Sequence, residues 1–238
     1  MDGQDAGDFD DPPRARPKGR TPKASRAHQT PPAALPEEES ETAVAGQKCL
    51  LILGMHRSGT SAFARVTSML GAALPKSVMG AGTGNETGHW EPVRLAEYND
   101  RLFAELGSAW YDWTPLDFKR LTLTSREIIK SDIAELVHED FGDAKHICIK
   151  EPRISRFADI FIDVLQKQNY EVGTLIAFRN PLDVIDSLLK RDTVWPFGHD
   201  RTDAALLWLD HMLRAELASR DLPRAFVSYD ALMADPVS

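Results

Sequence analysis

Five consecutive residues, Arg57-Ser58-Gly59-Thr60-Ser61, set a guanidinium, three hydroxyls and an unhindered backbone side by side. Such a set suits an anion: amides and hydroxyls donate hydrogen bonds, and the guanidinium matches the oxygens of phosphate or sulfate. Upstream, Cys49-Leu50-Leu51-Ile52-Leu53 is apolar and long enough for one buried strand. Downstream, Ala62 to Leu70 carries Phe63, Val66, Met69 and Leu70 near helical spacing. A strand, a glycine-bracketed loop and a helix together present consecutive amides and a helix N-terminus to an anion. Gly54 and Gly59 have the G-x-x-x-x-G spacing of a phosphate-binding loop. Thr60 stands where such loops carry lysine, and Arg57 supplies positive charge from within.

Two further basic sets close apolar runs. His146 to Ile149 reads as a strand ending in Lys150-Glu151-Pro152-Arg153, and Val172 to Phe178 as another ending in Arg179-Asn180-Pro181. Asn180 suits a helix N-cap, Pro181 the first helical position and Asp183 a capping-box-like start, with the helix running to about Arg191. Helices are also predicted over Pro92 to Leu106, Ser125 to Phe141, Phe157 to Leu165 and Thr202 to Arg220. The last has Leu206, Leu209, Leu213 and Leu217 on one stripe, and Arg224 to Tyr229 reads as a fourth strand. Alternating strands and helices predict a three-layer α/β sandwich with a mainly parallel sheet. Ligands of such sheets sit at the carboxyl ends of the strands. Arg57, Lys150, Arg153 and Arg179 all fall there, although the chain has a formal net charge of −8.

That net charge argues against non-specific binding of nucleic acid. No run of about 18 apolar residues exists and no basic, apolar leader opens the chain, so a cytoplasmic protein without a membrane span is expected. Cys49 and Cys148 lie in apolar runs and read as buried thiols. Residues 1–46 are rich in proline and charge and poor in large apolar side chains, so a disordered tail is expected ahead of a folded domain over 47–238.

Arg57-Ser58-Gly59-Thr60-Ser61 resembles the 5′-phosphosulfate loop of the PAPS-dependent sulfotransferases, in their bacterial carbohydrate- or small-molecule-type branch. PAPS is 3′-phosphoadenosine 5′-phosphosulfate. Arg179-Asn180-Pro181-Leu182-Asp183 with Ser187 and Arg191 resembles the 3′-phosphate motif of the same family, at the family's eight-residue step from Arg179 to Ser187. The resemblance covers roughly residues 48–236 and implies a P-loop-NTPase-like sulfotransferase fold. It also implies PAPS as co-substrate, no metal, and transfer of a sulfuryl group to a hydroxyl or amine of a glycan or small molecule.

On this resemblance Arg57 and the amides of Ser58, Gly59, Thr60 and Ser61 hold the 5′-phosphosulfate, and Arg179 and Ser187 the 3′-phosphate. Lys150 and Arg153 line the sulfuryl pocket or meet an acidic acceptor. Gly84-Asn85-Glu86-Thr87-Gly88-His89-Trp90-Glu91 resembles a family segment and supplies the general base, with Glu91 the first choice, His89 the second and Glu86 the third. Trp90 is placed against an acceptor ring, and Asn99 and Asp100 near the acceptor. The chain departs from the family at Ala62, where some members carry an aromatic residue to stack on adenine, and in ending at Ser238, which suggests a truncated product. Two other readings stay open: a catalytically incomplete PAPS- or PAP-binding relative, and a P-loop kinase.

Overall fold

In a computed structural model of the chain, residues 46–82, 88–190 and 200–235 are described. The expected tail, Glu86 and Arg191 lie outside them. Four strands form one parallel sheet: β1 (Gln47–Leu53), β2 (His146–Lys150), β3 (Tyr170–Phe178) and β4 (Arg224–Ser228), in the order β2-β1-β3-β4. β1 is central, pairing through Ile52 with Lys150 on one side and Leu175 on the other. The loop after β1 is therefore flanked by the ends of β2 and β3. Among the described residues, seven α-helices flank the sheet: α1 (Thr60–Met69), α2 (Val93–Glu105), α3 (Leu123–Phe141), α4 (Ala158–Lys167), α5 (Pro181–Leu189), α6 (Arg201–Ala218) and α7 (Tyr229–Ala234).

Alternation along β1 divides the layers. Cys49, Leu51 and Leu53 enter a core shared with α2, α3, α4 and α6, whereas Ile52 turns to Phe63 and Ala64 of α1. With helices on both faces, the three-layer parallel α/β arrangement expected from the sequence is the one observed. Cys49 and Cys148 are buried free thiols on opposite faces, and burial raises the pKa of each.

Local signals place the helix starts. Thr122 caps α3 by accepting from the Ser125 amide, and Asn180 caps α5 by accepting from the Leu182 amide. The capping-box role expected of Asp183 is not seen, because its carboxylate sits 3.7 Å from Arg179.

The leucine stripe of α6 faces outward. α6 buries Ala204, Leu207, His211 and Ala215, whereas Leu209, Leu213 and Leu217 are exposed. Both rows have helical spacing. Ala204 and Leu207 pack on Val184, Ile185 and Leu188 of α5, Ala215 enters the core with α4, and periodicity alone does not separate the two rows.

Candidate active site

The loop after β1 is held from below. Ser155 is buried in the 3-10 turn Pro152–Arg156. Its hydroxyl accepts from the Gly54 amide (2.9 Å) and donates to the Gly54 carbonyl (3.0 Å). Gly54 has φ 133°, and a Cβ there would lie 2.5 Å from the Ala177 carbonyl oxygen. Gly59 has φ 84°, and its Cβ would fall 2.1 Å from Cδ2 of Tyr229. Both glycines are thus required by conformation and by space. Arg57 carries a positive φ of 69°, a strained conformation for a non-glycine residue that recurs at functional loops.

α1 begins at Thr60 with no side-chain cap and no acidic residue in its first turn. The Ala62 amide already donates to the Gly59 carbonyl (2.9 Å), and the helix dipole adds partial positive charge at the start of the helix. The Ser58 amide is itself engaged, donating to the Met55 carbonyl at 3.2 Å. The Ser58 hydroxyl is buried without a hydrogen-bond partner among the described residues. An uncapped helix start beside an orphaned buried hydroxyl and a guanidinium suits an anionic group.

The second motif meets the first. Arg57 Nε donates to Ser187 Oγ at 2.9 Å, joining positions 130 residues apart. Arg179, at the end of β3, stacks its guanidinium 5.0 Å over the Tyr229 ring that also covers Gly59. Its Nε is buried without a hydrogen bond among the described residues, the Asp183 carboxylate being too distant at 3.7 Å. Arg57, Ser187 and Arg179 therefore border one region above the loop. Phe63 is buried in the core at 3% exposure and cannot replace the aromatic missing at Ala62.

On the β2 side a buried polar network forms. Lys150 Nζ reaches Glu91 Oε1 (2.5 Å), the His89 carbonyl (2.9 Å) and Ser61 Oγ (3.1 Å). Burial lowers the Lys150 pKa, and the attraction of Glu91 only partly offsets this. Arg153 bonds Glu151 (2.6 Å) and Asp100 (2.8 Å) and lies 4.0 Å from Glu91. Burial raises the Glu151 pKa, against the pull of Arg153 and with the push of Glu91. Asn99, expected near the acceptor, is instead buried and donates to Glu151 at 2.7 Å, while Asp100 pairs with Arg153.

Sequence reasoning brought Lys150, Glu91, His89 and Ser61 into one proposed site, and they are in contact. It did not foresee that Lys150 and Arg153 already have carboxylate partners, which leaves them ill suited to an acidic acceptor. Trp90, at φ 58°, turns its ring beneath Arg65 of α1 (5.1 Å) and packs on the core around Phe63.

A third wall is aromatic. Trp110 lies 4.8 Å from the ring of His56 in the loop, and His56 in turn approaches His211 of α6 edge-on at 6.3 Å. Sequence reasoning missed Ser155, Arg156 and His211. The signal for Ser155 and Arg156 was a polar pair between the apolar Ile154 and Phe157. A cleft of about 380 Å³ lined by Phe118, Ile129 and Ile160 lies elsewhere, and its lysine, Lys130, is paired to Asp163. Among the described residues, no group of His, Cys, Asp or Glu is arranged to hold a metal ion.

No protein-family model and no curated protein matches the chain. Solved structures do. A sulfotransferase domain from the curacin biosynthetic pathway is 18% identical over 80% of this chain and 70% of that one, at a TM-score of 0.44. Deoxyadenosine kinase from M. mycoides with bound dATP is 10% identical over 80% of this chain and 100% of that one, at 0.40.

Proposed function

We propose that the chain is a sulfotransferase that moves the sulfuryl group of PAPS to a hydroxyl or amine of an acceptor. The observation that carries this reading is the Arg57–Ser187 hydrogen bond, which joins the phosphosulfate-like loop to the 3′-phosphate-like motif. A nucleotide spanning these motifs needs a phosphate at each end, as PAPS has and ordinary nucleotides lack. The amides of Gly59, Thr60 and Ser61 hold the 5′-phosphate, Arg57 the bridging and sulfuryl oxygens, and Arg179 with Ser187 the 3′-phosphate.

In the transfer, the acceptor oxygen or nitrogen forms a bond to sulfur as the bond from sulfur to the bridging oxygen breaks. The electron pair leaves on the phosphate of PAP. The protein positions both partners and stabilises the charge that develops on that phosphate. The acceptor proton passes to Glu91, with His89 the alternative. Arg153, held by Asp100 and Glu151, keeps the acidic cluster in place. No described helix is long and apolar enough to cross a membrane, and we place the activity in the cytoplasm.

Thermal denaturation tests the reading. PAP should raise the melting temperature by a clear margin, and AMP or ATP with Mg²⁺ should not. Equal small shifts from all three would overturn it.

A further inference from the structure

Gly54 is where the chain leaves the sheet after β1. The ladder to β2 ends at Ile52 and Lys150, and the ladder to β3 runs one pair further, to Leu53 and Ile176. After Lys150 the chain turns away through Glu151 into the 3-10 turn Pro152–Arg156, and proline has no amide to offer a neighbouring strand. The Ser155 hydroxyl takes the place of a strand partner for Gly54. It accepts from the Gly54 amide at 2.9 Å and donates to the Gly54 carbonyl at 3.0 Å. A hydroxyl donates and accepts through one oxygen, which a side chain as short as serine can set between the two groups. Ser155 is fully buried, so leaving both backbone groups unpaired there would be costly.

Both sides of this contact are fixed. The Glu151 carboxylate caps the turn, accepting from the Arg153 amide at 3.2 Å and from Asn99 at 2.7 Å. The Phe157 amide closes it onto the Ile154 carbonyl at 2.8 Å, and Arg156 ties its end to the Asp112 and Thr114 carbonyls. On the other side, Gly54 has φ 133° and no room for a Cβ against the Ala177 carbonyl oxygen, so it is held between β3 and Ser155. The next link is the Met55 carbonyl, which accepts from the Ser58 amide at 3.2 Å and closes the turn that carries His56 and Arg57. A change in the Gly54–Met55 peptide would therefore carry through to the direction in which Arg57 to Ser61 leave the sheet.

We propose that Ser155 is a positioning residue for the 5′-phosphate: its hydroxyl fixes the Gly54–Met55 peptide and so keeps Arg57 to Ser61 in the shape that binds an anion. Ser155 acts through Gly54, not on the nucleotide. This rests on the reading of that loop as a 5′-phosphate site. It adds a residue outside both phosphate motifs whose loss should change the preference between nucleotides and not merely the stability of the fold.

Calorimetric titration of the full chain with PAP and with adenosine 3′-monophosphate tests this, because only PAP carries a 5′-phosphate. The wild type should bind PAP at least about tenfold more tightly. Ser155→Ala should lower PAP affinity about tenfold and leave adenosine 3′-monophosphate within about twofold, so that the preference collapses. Ser155→Cys, whose thiol is a weak donor and acceptor, should fall between serine and alanine, and it decides the matter if the alanine variant does not fold. Val164→Ala, a buried truncation in α4, lowers stability away from the loop and should keep the wild-type preference. An undiminished preference in the Ser155 variants, an equal loss for both nucleotides, or a collapse in Val164→Ala as well would overturn the proposal while leaving the 5′-phosphate reading in place. A wild type that binds both nucleotides alike would sink the 5′-phosphate reading itself, and the proposal with it.

Discussion

Lys150 Nζ lies 2.5 Å from Glu91 Oε1, with the two side chains 2% and 6% exposed. Burying both charges is tolerable because each neutralises the other and because Ser61 and the His89 carbonyl take remaining ammonium hydrogens. Removing one partner leaves the other unbalanced in a dry site. Glu91→Gln should therefore cost about 3 kcal/mol in urea denaturation, and adding Lys150→Met should recover most of it. The same variant tests catalysis. If Glu91 takes the acceptor proton, Glu91→Gln abolishes transfer while PAP still binds. Retained turnover would move the role to His89.

Arg179 offers a sharper test of the nucleotide. Its Nε is buried without a hydrogen bond while its guanidinium is held over Tyr229, so it is oriented yet unsatisfied. A 3′-phosphate would complete it. Arg179→Ala should weaken PAP by about tenfold to a hundredfold and leave AMP nearly unchanged, as read by calorimetry. A similar loss for both nucleotides would detach Arg179 from the 3′-phosphate.

Gly59 should tolerate no side chain. An alanine Cβ would meet the Tyr229 ring 2.1 Å away, at a φ of 84°. Gly59→Ala should cost about 1–3 kcal/mol and lower PAP affinity. Adding Tyr229→Ala should restore the part due to the clash and leave about 1 kcal/mol of backbone strain. A double variant no better than the single one would mean that Tyr229 is not what excludes the side chain.

The sequence made the central layer legible because its signals are local. Alternating apolar runs mark the strands, Asn180 with Pro181 marks the start of α5, and the glycine spacing marks the loop. Parallel topology then dictated that Arg57, Lys150 and Arg179 gather at one edge, and they do. What it hid is set by packing across long separations. The Ser155 grip on Gly54 spans 101 residues, and the Lys150–Glu91 pair spans 59. No spacing rule encodes such partners, so Lys150 and Arg153 read as free cations although each has its carboxylate. On α6 two rows share the helical period, and which of them is buried belongs to the neighbouring elements.

His211 gives the chain a predictable acid sensitivity. It is fully buried on α6, and its pKa is pushed down to about 3 from the usual 6.5, first by burial and then by the Arg156 charge. The folded ring thus stays neutral where the unfolded ring binds a proton. The resulting stability is fully present above pH 6.5 and is lost as pH falls toward the folded pKa. Below pH 6.5 this one group should steepen the loss by up to about 1.4 kcal/mol per pH unit. His211→Gln keeps a donor for the Leu207 carbonyl and removes the titration. Urea unfolding of both proteins from neutral pH down to about pH 5 measures the difference, since carboxylates elsewhere affect the two alike. The variant's stability should decline more gently across this range. Parallel curves would show that the buried imidazole is protonated, or reaches water, in the folded protein.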